Sequence, residues 1–452
     1  MITISAYQSA LALLAVFACA TLVGCRPSGV DRPLIVVASG DTNGWIVPCG
    51  CTSNQSGGLP RRATYIEGLR REAEVIPIDV GGAAHGTSPY DLAKFKAIVL
   101  GEMQMRIAAH NIGAAEARFG ADELRRLAKE MGVPLLSANV RDKSGKPVAE
   151  AVRMVSAAGR RLAFVGVLAE RYATAELQVT PPRQAAIEAL GSVAGKYDAA
   201  IVLAYLPEDE LRQLADALPE ADMVLGGPTG QPISPKQIGP TLLTSATNKG
   251  KFMARLDAPA YGSADRWKGR IVELSERYAD DPDQKSGVDR FHVELGRSDF
   301  APSQTSFVEP LPSNLPKGFA VAGNNACKKC HEEECRQWRN SKHATAWASL
   351  KATVSHVDPE CQRCHTTGYG LPGGFASIQD DNPSRNRVNV GCESCHGPCQ
   401  AHVAESAVHT PRFARAKDCC TDCHDRENSP KFDFDKYWGK IRHGQKSEKE
   451  TH

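Results

Sequence analysis

From Leu34 to about Arg255, short aliphatic runs alternate with amphipathic stretches. The runs LIVVA (34–38), VIPID (75–79), PLLSA (134–138), LAFVGV (162–167), AAIVLAY (199–205), MVLGG (223–227) and TLLTS (241–245) are brief, rich in Val, Ile and Leu, and bounded by Gly or Pro. That pattern predicts buried sheet strands. Between them, DELRRLAKEM (122–131) and EDELRQLADAL (208–218) space their leucines for one helical face. The alternation predicts an α/β domain over 33–298, with 263–298 read as a charged helical stretch.

Four prolines then fall within 300–318, a linker composition that assigns 299–319 to a Pro-rich connection. Beyond it the pattern changes. Residues 320–452 hold few aliphatic runs and many turn residues, too little apolar surface to offset chain entropy unaided. A mainly α domain at 320–444, ahead of a polar tail at 445–452, therefore needs a core from elsewhere.

The cysteines name that core. Of fifteen, eleven lie between Cys327 and Cys423. Cys327-Lys-Lys-Cys330-His331, Cys361-Gln-Arg-Cys364-His365, Cys392-Glu-Ser-Cys395-His396 and Cys420-Thr-Asp-Cys423-His424 are all CxxCH. Two thiols at this spacing add across the two vinyl groups of one haem, and the following histidine is carried under the iron. Zinc sites also use CxxC pairs but do not require a histidine after every second cysteine. The reading is four covalently attached haem c groups, whose macrocycles supply the missing core.

The remaining histidines of this segment are His343, His356, His402, His409, His443 and His452. His343 lies in 331–352, which reads as one helix. Twelve helical residues span roughly 18 Å, so His343 must serve a haem other than that of His331. Cys335, Cys399 and Cys419 are left over, with Cys399 and Cys419 the most plausible pair in an oxidising compartment.

The segments WRNSKHATAW (338–347), GCESCHGPCQAHV (391–403) and CTDCHDRENSPKFDFDKYWGKIRHG (420–444) resemble the cytochrome c-554 type of multihaem domain. The resemblance implies distal ligands at His343, His402 and His443. It also implies three bis-histidine haems and one five-coordinate haem, commonly the second. His356 is the residue that could fill that sixth position.

The first half resembles the UshA-like 5'-nucleotidases of the calcineurin-type metallophosphoesterases, through SGDTNGW (39–45), GGLPRRATYIEGLR (57–70), IDVGGAAHG (78–86), 113–140, IVLAYLPEDE (201–210) and VLGGPTG (224–230). This implies a four-layer α/β sandwich. Of the family's metal-ligand positions only Asp41 keeps a plausible ligand. The others fall on Asn43, Gly82, Ala114, Ala115, Tyr205, Pro228 and Gly230, and Asp79 aligns with a non-ligand position. Glycine, alanine and proline offer a metal nothing, so phosphoesterase activity is expected to be absent. Pro48-Cys49-Gly50-Cys51 resembles a loop of a cytochrome-joined branch. Cys49 and Cys51 read either as a redox or soft-metal-binding pair or as a simple structural disulfide.

Residues 8–24 are apolar but short for a span, and Leu22-Val23-Gly24-Cys25 resembles a bacterial lipobox. Residues 1–24 are thus read as a lipoprotein signal peptide and Cys25 as the acylated residue. This places the chain, exported and membrane-anchored, at the periplasmic face. The formal net charge of +2, with no basic stripe interleaved with aromatics, argues against nucleic acid. Expected partners are a redox donor and acceptor. The leading function is electron transfer. The alternatives are a redox enzyme acting on a small nitrogen or sulfur species at an open haem, and a docking module built on the N-terminal domain.

Overall fold

The computed structural model describes residues 32–48, 55–409 and 416–443. The signal segment, Cys25, the Cys49 and Cys51 loop, and the polar tail lie outside them. Among the described residues no helix is long and apolar enough to cross a membrane.

Two six-stranded sheets pack face to face. The first runs in the order Lys268–Glu273, Phe252–Asp257, Leu34–Ser39, Glu74–Asp79, Ala109–Asn111, Leu135–Leu136. The second runs Ile233–Ile238, Thr241–Ser245, Met223–Gly227, Ala199–Tyr205, Arg160–Leu168, Val152–Ala157. In the first sheet the pairs from Leu34–Ser39 through Leu135–Leu136 are parallel and the two at the Lys268–Glu273 end antiparallel, whereas the second sheet is parallel at its centre and antiparallel at both edges.

Alternation along the strands sorts side chains between layers. Val36 and Ala38 join Leu203, Phe164 and Leu225 between the sheets. Ile35 and Val37 point the other way, onto helices carrying Ile66, Phe95, Ile98 and Leu124. Leu211, Leu214 and Leu218 cover the outer face of the second sheet. The result is the helix–sheet–sheet–helix sandwich expected from the sequence.

Three local expectations need correction. Residues 263–298 are not helical throughout: Lys268–Glu273 is an edge strand, and the helix runs only Pro282–Ser298, capped by Asp281. The stretch 331–352 is two helices, Glu332–Arg339 and Ala346–Lys351, separated by a 3-10 turn at Lys342–Thr345. Asn340 and Ser341, poor helix formers, sit at the break. The Pro-rich segment is no free tether either, since Phe307 packs on Tyr90 and His85, and Ser306 bonds Asp91.

Among the described residues the C-terminal segment is short helices and turns around a small apolar cluster of Trp347, Leu350, Phe375 and Val388. So small a cluster would not hold such a length of chain together by burial alone.

Candidate functional site

The four CxxCH segments form a contiguous chain of attachment points. The thiol of Cys327 lies beside that of Cys392, and that of Cys364 beside that of Cys423. Cys395 lies beside Cys419 and Cys420. The segments therefore run in space first, third, fourth, second.

The histidines are paired across this chain. His331 faces His402 with ring centres 6.2 Å apart, His343 faces His424 at 6.1 Å, and His396 faces His443 at 5.8 Å. A metal–imidazole bond of about 2 Å on each side, with about 1 Å more to each ring centre, gives about 6 Å. Each pair is thus spaced to hold one iron. Burial first, then neighbouring histidines, lowers the pKa of His343 and His396, which favours the neutral imidazole that ligation needs.

Second contacts aim the rings. His365 donates Nδ1–H to the Ala346 carbonyl at 2.9 Å, His402 to His409 at 2.5 Å, and His443 to Ile441 at 3.0 Å. His424 Nδ1 lies 2.9 Å from Ser429 Oγ, with Phe432 stacked on its ring at 4.6 Å. Engaging Nδ1 leaves Nε2 to the metal.

His365 differs from the other three proximal histidines. Among the described residues no histidine ring lies opposite it. His356 instead meets Trp347 edge-on at 5.7 Å, and its Nδ1 is buried without a partner. Arg363 Nε is likewise buried and unpartnered. Orphaned donors beside Cys361 and Cys364 fit a group with acceptors of its own, as haem has in its propionates.

Cys335, Cys399 and Cys419 are free. The expected pair of Cys399 with Cys419 is not formed. Cys399 is buried against the Gly397 carbonyl, whereas Cys419 reaches the Ser394 carbonyl and the Cys395 thiol.

Residues 326–397 match the family described as cytochrome c554 and c-prime. The likeness supports covalently bound haem c in this segment. The match takes in the first three CxxCH motifs, and the fourth lies beyond it. The cytochrome c-554 of Nitrosomonas europaea is 30% identical over 142 residues, which cover 24% of this chain and 59% of that protein.

The α/β half has a different likeness. The 5'-nucleotidase precursor of Thermus thermophilus superposes with TM-score 0.52 at 20% identity, over 58% of this chain and 59% of that one. A sulfate thiohydrolase from the same organism gives 0.52 at 15%, over 60% and 62%. A calcineurin-like phosphoesterase from Bacillus subtilis gives 0.50 at 16%, over 58% and 97%. At these identities the likeness is one of fold.

At the strand ends beside Asp41, the cleft is filled by protein. Asp41 and Asn43 hold left-handed backbone (φ 50° and 51°), pinned by N–H bonds to the carbonyls of Gly81 and Gly82. Tyr205 donates its hydroxyl to Asp41 at 3.3 Å. A Cβ on Gly82 would lie 2.6 Å from the Tyr205 ring and 3.0 Å from Asp41, so the phenol occupies the space of a side chain there. Burial, against which the Tyr205 bond works, raises the Asp41 pKa to about 6. His85 bonds Asn43 at 3.1 Å.

Behind this cleft sits a buried network that the sequence did not announce. Glu116 accepts the backbone N–H groups of Gly82, Ala83 and Ala84. Asp79, Glu102 and His110 converge closely enough to hold a metal. The cation among them is Arg62, which lies 3.8 Å from Asp79 and 3.5 Å from Glu102 and donates to Thr42. His110 bonds Glu102 at 2.8 Å. With that positive charge in place the cluster reads as a closed salt-bridge network.

Proposed function

We propose that the chain is an exported, lipid-anchored tetrahaem c-type cytochrome that passes electrons between protein partners. The observation that carries this reading is the set of three imidazole pairs spaced 5.8–6.2 Å apart. Irons closed on both faces by histidine exchange electrons without binding substrate. Contiguous attachment segments support a relay in the order first, third, fourth, second haem. The Cys25 lipobox supports tethering at the periplasmic face.

The residues along the α/β cleft support a phosphoesterase fold without its chemistry. Two divalent ions need several donors, and of the ligand positions of the resembled family only Asp41 keeps a carboxylate, already bonded to Tyr205. That domain then serves to hold the haem segment, and beyond that to dock a partner.

His365, with no histidine opposite among the described residues, favours a second reading. An open iron there would bind a small nitrogen or sulfur species, making the chain a redox enzyme.

The mass of the denatured chain tests the leading reading. Four haem-sized additions are expected, and bound zinc without haem would overturn it.

A further inference from the structure

The second CxxCH segment is bound to the α/β domain through buried charge. Asp358 caps the helix Pro359–His365 that carries Cys361, Cys364 and His365, accepting the Glu360 N–H at 2.9 Å. Its other contact is across the domain boundary, where Tyr90 donates its hydroxyl to Asp358 at 2.6 Å. Lys94, one turn along the same helix Pro89–Gln104, donates to Tyr90 at 2.9 Å and to Glu360, and lies 3.9 Å from Asp358. The Lys94 side chain is only 6% exposed.

Lys94 is therefore the cation, supplied by one domain, that faces two carboxylates flanking a haem attachment site on the other. Burial works against its charge, and Asp358 and Glu360 overcome that and hold its pKa above the ordinary value. Cys361 lies close enough to be felt by both Tyr90 and Lys94. His292 and Arg363 also lie nearby, with Lys285 and Asp289 beside His292.

We propose that Lys94 sets the reduction potential of the haem carried by Cys361, Cys364 and His365, so that the α/β domain tunes the relay at the end where it is docked. Reduction adds one electron to the iron. Nearby negative charge opposes this step, and buried positive charge favours it. Without Lys94, Asp358 and Glu360 face the haem as uncompensated anions, and the ferric state gains.

A second lysine contact supplies the control. Lys249 and Lys251 reach Glu427, three residues after His424, and Lys249 lies 30% exposed. Solvent and salt screen charges placed so.

The proposal rests on haem attachment at Cys361, which the haem count tests separately. Potentiometric titration of the holoprotein, resolved by visible and electron paramagnetic resonance spectra, decides it. Lys94→Gln should lower one of four midpoint potentials, that of the haem carried by Cys361, Cys364 and His365, and leave three in place. Lys94→Arg should restore it. Glu360→Gln, with Lys94 intact, should shift the same haem upward. Lys249→Gln should move any potential far less. Four unchanged potentials in Lys94→Gln, an equal fall in Lys94→Arg, or a fall in Glu360→Gln would overturn it. Should Lys94→Gln fail to fold, the upward shift in Glu360→Gln still decides. A native chain carrying three haems, with Cys361 unmodified, removes both the site and the proposal.

Discussion

The ring of His343 lies 6.1 Å from that of His424 and tilted 40° to it, although one belongs to the first haem-binding stretch and the other to the last. One iron between them would staple the two ends of the C-terminal half together. His343→Ala should therefore convert one haem of four from low spin to high spin, without loss of covalent haem. The same spectrum as the native protein would show that His343 is not a ligand.

The unpaired His365 leads to a different expectation. Native protein should show a low-spin majority with a high-spin minority, and carbon monoxide or nitric oxide should perturb one haem in four. His356→Ala is the control. If this change creates the high-spin signal, His356 was the sixth ligand and all four irons are closed. A high-spin signal already present, and unaltered by the change, leaves the iron of His365 open.

Asp41 makes the α/β domain pH-dependent. Its carboxyl has a reference pKa of 3.8 and reaches about 6 in the fold, through burial. Between those values the folded state keeps a proton that the unfolded chain has released. Stability is therefore full below about pH 4 and declines as pH rises to about 6. Asp41→Asn should flatten this slope and stabilise the protein at neutral pH, by on the order of 2 kcal/mol. Thermal melts from pH 4 to 7.5 measure it, and parallel curves for both proteins would refute the assignment.

No nucleotidase turnover is expected with manganese, magnesium or zinc added. The crowding of Gly82 against Tyr205 and Asp41 gives the reason, since no side chain fits at that position without moving the phenol. Metal-dependent hydrolysis abolished by Asp41→Ala would contradict this.

Cys25→Ala should release the protein from the membrane fraction. Fractionation of cells expressing the variant checks it, and unchanged membrane association would point to another anchor or a bound partner.

Much of the sandwich was legible because its central strands are local and nearly pure in Val, Ile, Leu and Ala. Ala199–Tyr205 is buried along its whole length and reads as a strand from any window. The edges were not legible. Lys268–Glu273 alternates charge with small and aliphatic residues and buries only Val272, so its pattern merges with the charged helix that follows. Haem attachment was readable for a simple reason: two thiols and a histidine within five residues are a covalent, local signal. The histidine pairs are another matter. The single helix expected over 331–352 breaks at Lys342–Thr345, so it is the fold, not helix length, that places His343 opposite His424. Nor did any signal mark Lys94 and Glu360 as partners, because an ion pair between domains has no spacing rule.

The four-residue cluster of Trp347, Leu350, Phe375 and Val388 bears on how the protein matures. The sandwich owns its apolar core and folds on hydrophobic burial, while the C-terminal half waits for its pigment. A chain that folds its sandwich ahead of haem attachment would thus carry a finished globule with an open, cleavable extension. Proteases that survey the compartment would trim that extension back to the sandwich. Haem supply thereby governs how much intact protein accumulates, as well as how much is active.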